Sequence, residues 1–117
     1  MLARRHRLTR PEDFRRTIRS GAKAVADTVV VHGQLGTDPK EPTRIGVTVS
    51  KAVGGSVIRH RVARQIRHAI ARELPTLPPG SRWVIRALPE AGSRSNAGSA
   101  LTADVTRSVE AVRGKLT

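Results

Sequence analysis

Residues 44–73 read RIGVTVSKAVGGSVIRHRVARQIRHAIARE, and three patterns follow one another along them. In the first part Ile45, Val47 and Val49 alternate with smaller or polar residues, the period of a half-buried strand. KAVGGS is then a glycine-containing turn, with Ser56 placed to cap a helix. From residue 57 to about residue 74 the period becomes helical. At about 100° per residue, Ile58, Val62, Ile66, Ala69, Ile70 and Leu74 share one face. His60, Arg61, Arg64, Arg67, His68 and Arg72 share the other. Arg59 alone points toward the apolar side, in the first turn, where its length carries it past the core edge. A strand, a glycine turn and an amphipathic helix therefore form one unit.

The charged face carries a functional reading. Between Arg44 and Arg72 stand seven basic residues and no acid. A solvated helix face normally mixes signs, because opposite charges four apart support the helix and like charges oppose it. A face of one sign needs an external polyanion.

Upstream, residues 8–23 predict a short helix. Thr9 and Glu12 have capping-box spacing, Pro11 falls in the first turn, and Gly21 is placed to end the helix. Phe14 and Ile18, four apart, share a face. Residues 27–35 are rich in β-branched side chains and predict a strand. GTDPKEPT is a polar loop, and a hairpin between this strand and the strand from residue 44 is the simplest connection. Downstream, PTLPPGS ends the long helix and RWVIRAL predicts a further strand. Residues 89–100 predict a flexible loop. Residues 101–116 form a last amphipathic helix, with Leu101, Val105, Val109, Val112 and Leu116 at helical spacing. The expected fold class is α+β, in a single domain spanning residues 1–117, with residues 1–8 a basic and mobile arm.

Composition narrows the function. The chain has 22 Lys and Arg against nine acids, a formal charge of +13. Such an excess opposes compaction unless a polyanion neutralises it. Residues 1–23 extend the same bias, with eight basic residues against two acids. Cysteine is absent, which removes disulfides, thiolate metal sites and cysteine nucleophiles, and fits a reducing cytoplasm. No apolar run approaches the roughly 20 residues that span a bilayer. The four histidines, His6, His32, His60 and His68, lack metal-ligand spacing. Glu12–Asp13, the one adjacent acidic pair, sits in a helix first turn, where carboxylates complement the dipole. No nucleophile–base constellation is visible, so the expectation is a protein with no catalytic side chains and no metal of its own.

The segment GVTVSKAVGGSVIRHRVARQIR closely resembles the signature of the bacterial ribonuclease P protein subunit, in which a strand ending Ser-Lys leads through a glycine turn into an Arg-x-Arg helix. RLTRPEDFRRTIRSG upstream and LPPGSRWVIRALP downstream extend the resemblance over about residues 5–90. It implies a central mixed sheet of four strands, one more than the residues alone display, with a left-handed βαβ crossover. It implies a cytoplasmic subunit of a ribonucleoprotein endonuclease that removes the 5′ leader of precursor tRNA. The partners would be the ribonuclease P RNA and precursor tRNA, with no membrane, and Mg²⁺ would be held by the RNA of the holoenzyme. Carried over by position, the RNA-binding residues are Ser50, Lys51, Arg59, His60, Arg61, Arg64, Arg67 and His68. The leader-binding cleft would use Phe14, Arg15, Ile18, Arg19 and His32. His60 stands where the family has Asn, Ala63 where Lys is usual, and Gly55 where Asn is usual. Ile18 and His32 replace common aromatics, so the cleft keeps one aromatic ring, Phe14. A ribosomal or RNA-chaperone type of RNA-binding protein shares the basicity and size, and the motif separates the two. A membrane-surface protein would share the basic amphipathic helix but not its aliphatic, aromatic-free face.

Overall fold

The computed structural model describes residues 2–93 and 99–116. Three helices, α1 (Pro11–Ser20), α2 (Ser56–Glu73) and α3 (Ser99–Leu116), surround one sheet. Its strands are β1 (Ala22–Val25), β2 (Val29–Gln34), β3 (Arg44–Thr48) and β4 (Arg82–Ala87), in the order β1-β2-β4-β3. β1 pairs antiparallel with β2, β2 antiparallel with β4, and β4 parallel with β3.

This topology overturns the expected hairpin between residues 27–35 and 44–50. β4 lies between those two strands, and β2 forms its hairpin with β1 instead. The reason is burial. Trp83, Val84 and Ile85 are buried on both faces of the sheet, which suits a central strand. β3 buries Ile45 and Gly46 but leaves Arg44, Val47 and Thr48 partly exposed, and takes the edge. β1, the fourth strand, is AKAV, two alanines alternating with exposed residues, a weak strand signal that pairing with β2 overrides.

Side chains alternate across the sheet. Val29 and Val31 of β2, Ile45 of β3, and Trp83 and Ile85 of β4 enter the core beneath α2 and α3. α2 contributes Val62, Ile66, Ala69 and Ile70, and α3 contributes Leu101, Val105, Val109 and Val112. Both helices thus bury the stripes that their periodicity predicts. Gly33 is needed where β2 passes under Trp83, because a β-carbon there would stand 2.9 Å from the indole. Trp83 Nε1 donates to Ser81 Oγ at 2.8 Å, so the buried ring leaves no polar atom unpaired.

The opposite face is covered by α1. The expected capping box is not formed: the N-cap is Arg10, without a side-chain hydrogen bond, and Pro11 begins the helix with its fixed φ. Likewise Gly55, not Ser56, caps α2, and Ser56 is its first residue. Gly21 ends α1 as expected, where a β-carbon would stand only 2.5 and 2.6 Å from the carbonyl oxygens of Thr17 and Gly33.

The N-terminal arm lies along the β3 edge. Leu8 N–H donates to the Ile45 carbonyl at 2.8 Å, and Arg7 forms a parallel bridge with Ile45. His6 Nδ1 donates to the Thr43 carbonyl at 2.7 Å, and Leu2 and Leu8 are buried. Of the segment read as a flexible loop, Pro89–Gly92 forms a short 3-10 turn, and residues 94–98 lie outside the described residues. No described helix is long and apolar enough to cross a membrane.

Candidate RNA interface

The basic surface of α2 follows from how its apolar stripe is seated. With Val62, Ile66 and Ile70 wholly buried, His60, Arg61, Arg64, His68 and Arg72 are left exposed, and Arg59 and Arg67 are half-buried. The ion pairs found among the described residues, Arg44–Glu41 and Arg107–Asp104, both lie elsewhere. Val57, His60, Arg61, Arg64, Gln65 and His68 line one surface hollow of about 510 Å³. A second, of about 300 Å³, runs between α2 and the β3 edge and is lined by Val47, Val49, Ser56, Arg59, His60, Ala63 and Arg67. His60 belongs to both, so it forms the ridge between them. Inside the second hollow Arg59 Nε is buried with no hydrogen-bond partner.

Ser50 and Lys51 are exposed at the start of the turn that feeds α2. A 3-10 turn, Lys51–Val53, ends at Gly54, whose φ of 155° with extended ψ is a conformation glycine adopts readily. The chain thereby reverses from β3 into α2 within a few residues. All eight sequence-derived RNA-binding candidates thus gather on α2 and the turn before it.

The second group of candidates lies across the sheet, around α1. Phe14 is half-buried and packs on Gly46 of β3; Ile18 is half-buried, and Thr17 between them is fully buried. Arg15 and Arg19 are exposed on the outer side of α1. His32 has a different setting from an open cleft residue. It is 2% exposed, and its Nε2 accepts a hydrogen bond from Arg86 Nε at 3.2 Å. Burial first, then the Arg86 and Lys23 charges, hold its imidazole below the usual histidine range, so it is neutral. Arg86 is the exposed member of the pair. It was not among the sequence-derived candidates. The alternation within RWVIRAL, which puts Arg86 on the face opposite Trp83 and Ile85, is the signal that could have found it.

Two faces of one edge strand connect the groups. Gly46 seats Phe14 on one side, and Val47 lines the Arg59 hollow on the other. Among the described residues no group of three or more His, Asp or Glu side chains is placed to hold a metal ion.

The comparison with known proteins bears on this arrangement. The family model for ribonuclease P matches residues 2–112, nearly the whole chain. The chain belongs to the ribonuclease P protein family. The ribonuclease P protein component of Streptomyces bikiniensis is 47% identical over 104 residues, covering 83% of this chain and 85% of that one. That of Corynebacterium diphtheriae is 41% identical, covering 98% of this chain and 99% of its own. Among solved structures, the RNase P protein from Staphylococcus aureus superposes with a TM-score of 0.70 at 22% identity, covering 92% of this chain and 91% of its own. The RNase P protein from Thermotoga maritima gives 0.71 at 18% identity, covering 97% and 99%. The ribonuclease P protein fold thus persists where most side chains differ.

Proposed function

We propose that this chain is the protein subunit of a ribonuclease P holoenzyme, binding the catalytic RNA and the 5′ leader of precursor tRNA to promote endonucleolytic removal of the leader. The observation that carries the reading is the α2 surface, where Arg59, Arg61, Arg64, Arg67 and Arg72 stand on a core-anchored helix with no acid interspersed. RNA phosphates neutralise such a face and release their counterions. The guanidinium fork suits phosphate oxygens, which it grips bidentately.

Cleavage chemistry is assigned to the RNA, with Mg²⁺ held by its phosphates. The protein's part is to bind and orient. Arg61 and Arg64 project from one helix, so their backbone positions are set before RNA arrives and only the side chains remain to be ordered. Ser50 and Lys51 flank the same surface. The α1 side, with Phe14 over Gly46 and Arg15 and Arg19 outward, would hold the single-stranded leader. Membership of the family and the absence of cysteine fit a cytoplasmic location.

The test is reconstitution. Added to a bacterial ribonuclease P RNA at low Mg²⁺, the chain should stimulate cleavage of precursor tRNA, and alone it should cleave nothing. No stimulation at any Mg²⁺ concentration, with RNA binding retained, would favour a general RNA-binding protein of the ribosomal or chaperone type. Cleavage by the protein alone, surviving nuclease treatment of the preparation, would place the chemistry in the protein.

A further inference from the structure

We propose that Arg86 contacts the 5′ leader and that His32 is the residue that positions it. The inference rests on the function proposed above and adds a residue pair to it.

The strand register places the pair. Val25, Val30, Arg86 and Thr48 are consecutive cross-strand partners, one rung running across β1, β2, β4 and β3. Two residues along, the next rung on the same face of the sheet is Lys23, His32, Val84 and Gly46. α1 covers this second rung, with Phe14 on Gly46. The first rung stays open at its flank: Val25 is 65% exposed, and Arg86 is exposed. Arg86 therefore reaches back from the open rung to a partner in the covered one.

That partner constrains the guanidinium. His32 is neutral and its Nε2 accepts, so its proton is on Nδ1. With Arg86 Nε–H directed at His32, the planar fork is oriented and its two terminal nitrogens remain. Neither has a partner among the described residues. No acid stands on either rung, and the exposed Lys23 adds a second cation.

The arrangement is costly for stability alone. His32 Nδ1 is buried without a hydrogen-bond partner, and the ring lies beside two cations. An aliphatic residue at this position would avoid both costs. What His32 supplies is an acceptor, which an aliphatic residue cannot. A guanidinium fixed through its Nε on a sheet face, with an exposed valine two strands away on the same rung and a lysine near His32, fits single-stranded RNA. Its plane stacks on a base, and its free N–H groups bind a phosphate. In a chain with one cleft aromatic, the fork takes over part of what rings would do.

The experiment uses the chain reconstituted with ribonuclease P RNA and reads the ratio of affinities for precursor and mature tRNA. Arg86→Ala should lower the ratio about tenfold, the size of a lost charge-assisted contact, with affinity for mature tRNA unchanged. Arg86→Lys should lower it nearly as far, because an ammonium keeps the charge but loses the oriented fork. His32→Leu should lower it in part, and His32→Gln, which restores an acceptor oxygen, should recover it. A wild-type ratio in Arg86→Ala overturns the contact. A wild-type ratio in Arg86→Lys overturns the positioning, whether or not His32→Leu folds. A wild-type holoenzyme that shows no preference for precursor tRNA, or no stimulated cleavage, instead overturns the function on which the inference rests.

Discussion

The Phe14 ring occupies the space that a side chain at residue 46 would need. A β-carbon built on Gly46 would meet three atoms of the ring, with Cδ1 at 3.1 Å and two others closer. One glycine in the edge strand thus sets how closely α1 approaches the sheet and where the Phe14 ring stands.

Gly46→Ala should therefore displace Phe14 outward. Overpacking of this kind costs about 1–3 kcal/mol, read as a lower urea midpoint at unchanged slope. The reconstituted variant should also lose preference for precursor over mature tRNA. A wild-type midpoint and preference would mean that the ring swings aside freely and that the contact does not position it.

On the opposite side of the sheet, Arg61→Ala and Arg64→Ala should each weaken binding to the catalytic RNA. Each should also reduce the slope of log affinity against log salt by about one unit, the value of one phosphate contact. Both residues are exposed, so the fold should survive. Unchanged slopes in both variants would make this face a merely solvated one.

Ile66 is fully buried in the middle of α2. Ile66→Asp puts an unpaired carboxylate into the core and should prevent folding at neutral pH, seen as loss of the cooperative thermal transition. A folded Ile66→Asp variant that binds RNA would mean that the helix can rotate its faces.

Asp104 ties α3 to the β1–β2 turn. Its Oδ2 accepts from Thr28 N–H at 3.1 Å and Thr28 Oγ1 at 2.6 Å, and its Oδ1 accepts from Arg107 Nη2 at 2.6 Å. Burial raises its carboxyl, but the Thr28 hydrogen bonds and Arg107 outweigh that and hold it below the usual carboxylate range. Asp104→Ala leaves the buried Thr28 groups unpaired and should cost about 1–3 kcal/mol. The folded-state value is depressed, so this contribution is complete above the ordinary carboxylate range and is lost as pH falls through the depressed value. Acid-induced loss of stability should accordingly be smaller in Asp104→Ala. An identical acid profile would show that other carboxylates set it.

His32 gives the same sign at higher pH. Its folded-state value is also depressed, here by burial, Arg86 and Lys23, so the native state binds fewer protons than the unfolded chain just below the ordinary histidine value of about 6.5. Stability should be complete above that value and should fall as pH drops from it toward the depressed one. His32→Gln should flatten the urea-midpoint profile below about pH 6.5. If the profile keeps its wild-type shape, His32 is not the group responsible.

Periodicity alone placed α2 and α3 and the faces they bury, because a 3.6-residue repeat of aliphatic residues must seat against another apolar layer, here the sheet and the neighbouring helix. The same repeat left His60, Arg61, Arg64 and His68 outside, so the basic surface was legible as well. The motif from Gly46 to Arg67 was local in the chain, and its residues remain neighbours in the fold. What the sequence could not decide was the order of strands. β2 and β3 are separated by a short polar loop that suits a hairpin, yet β4, from much later in the chain, lies between them. Pairing depends on which strand can be buried on both faces, a comparison between distant segments that no local pattern contains. The Arg86–His32 hydrogen bond, spanning 54 positions of the chain, has the same origin. Alternation could assign each side chain to a face, but only the register of β2 against β4 brings the guanidinium to the imidazole, and only the seating of α1 on Gly46 buries one and leaves the other in solvent.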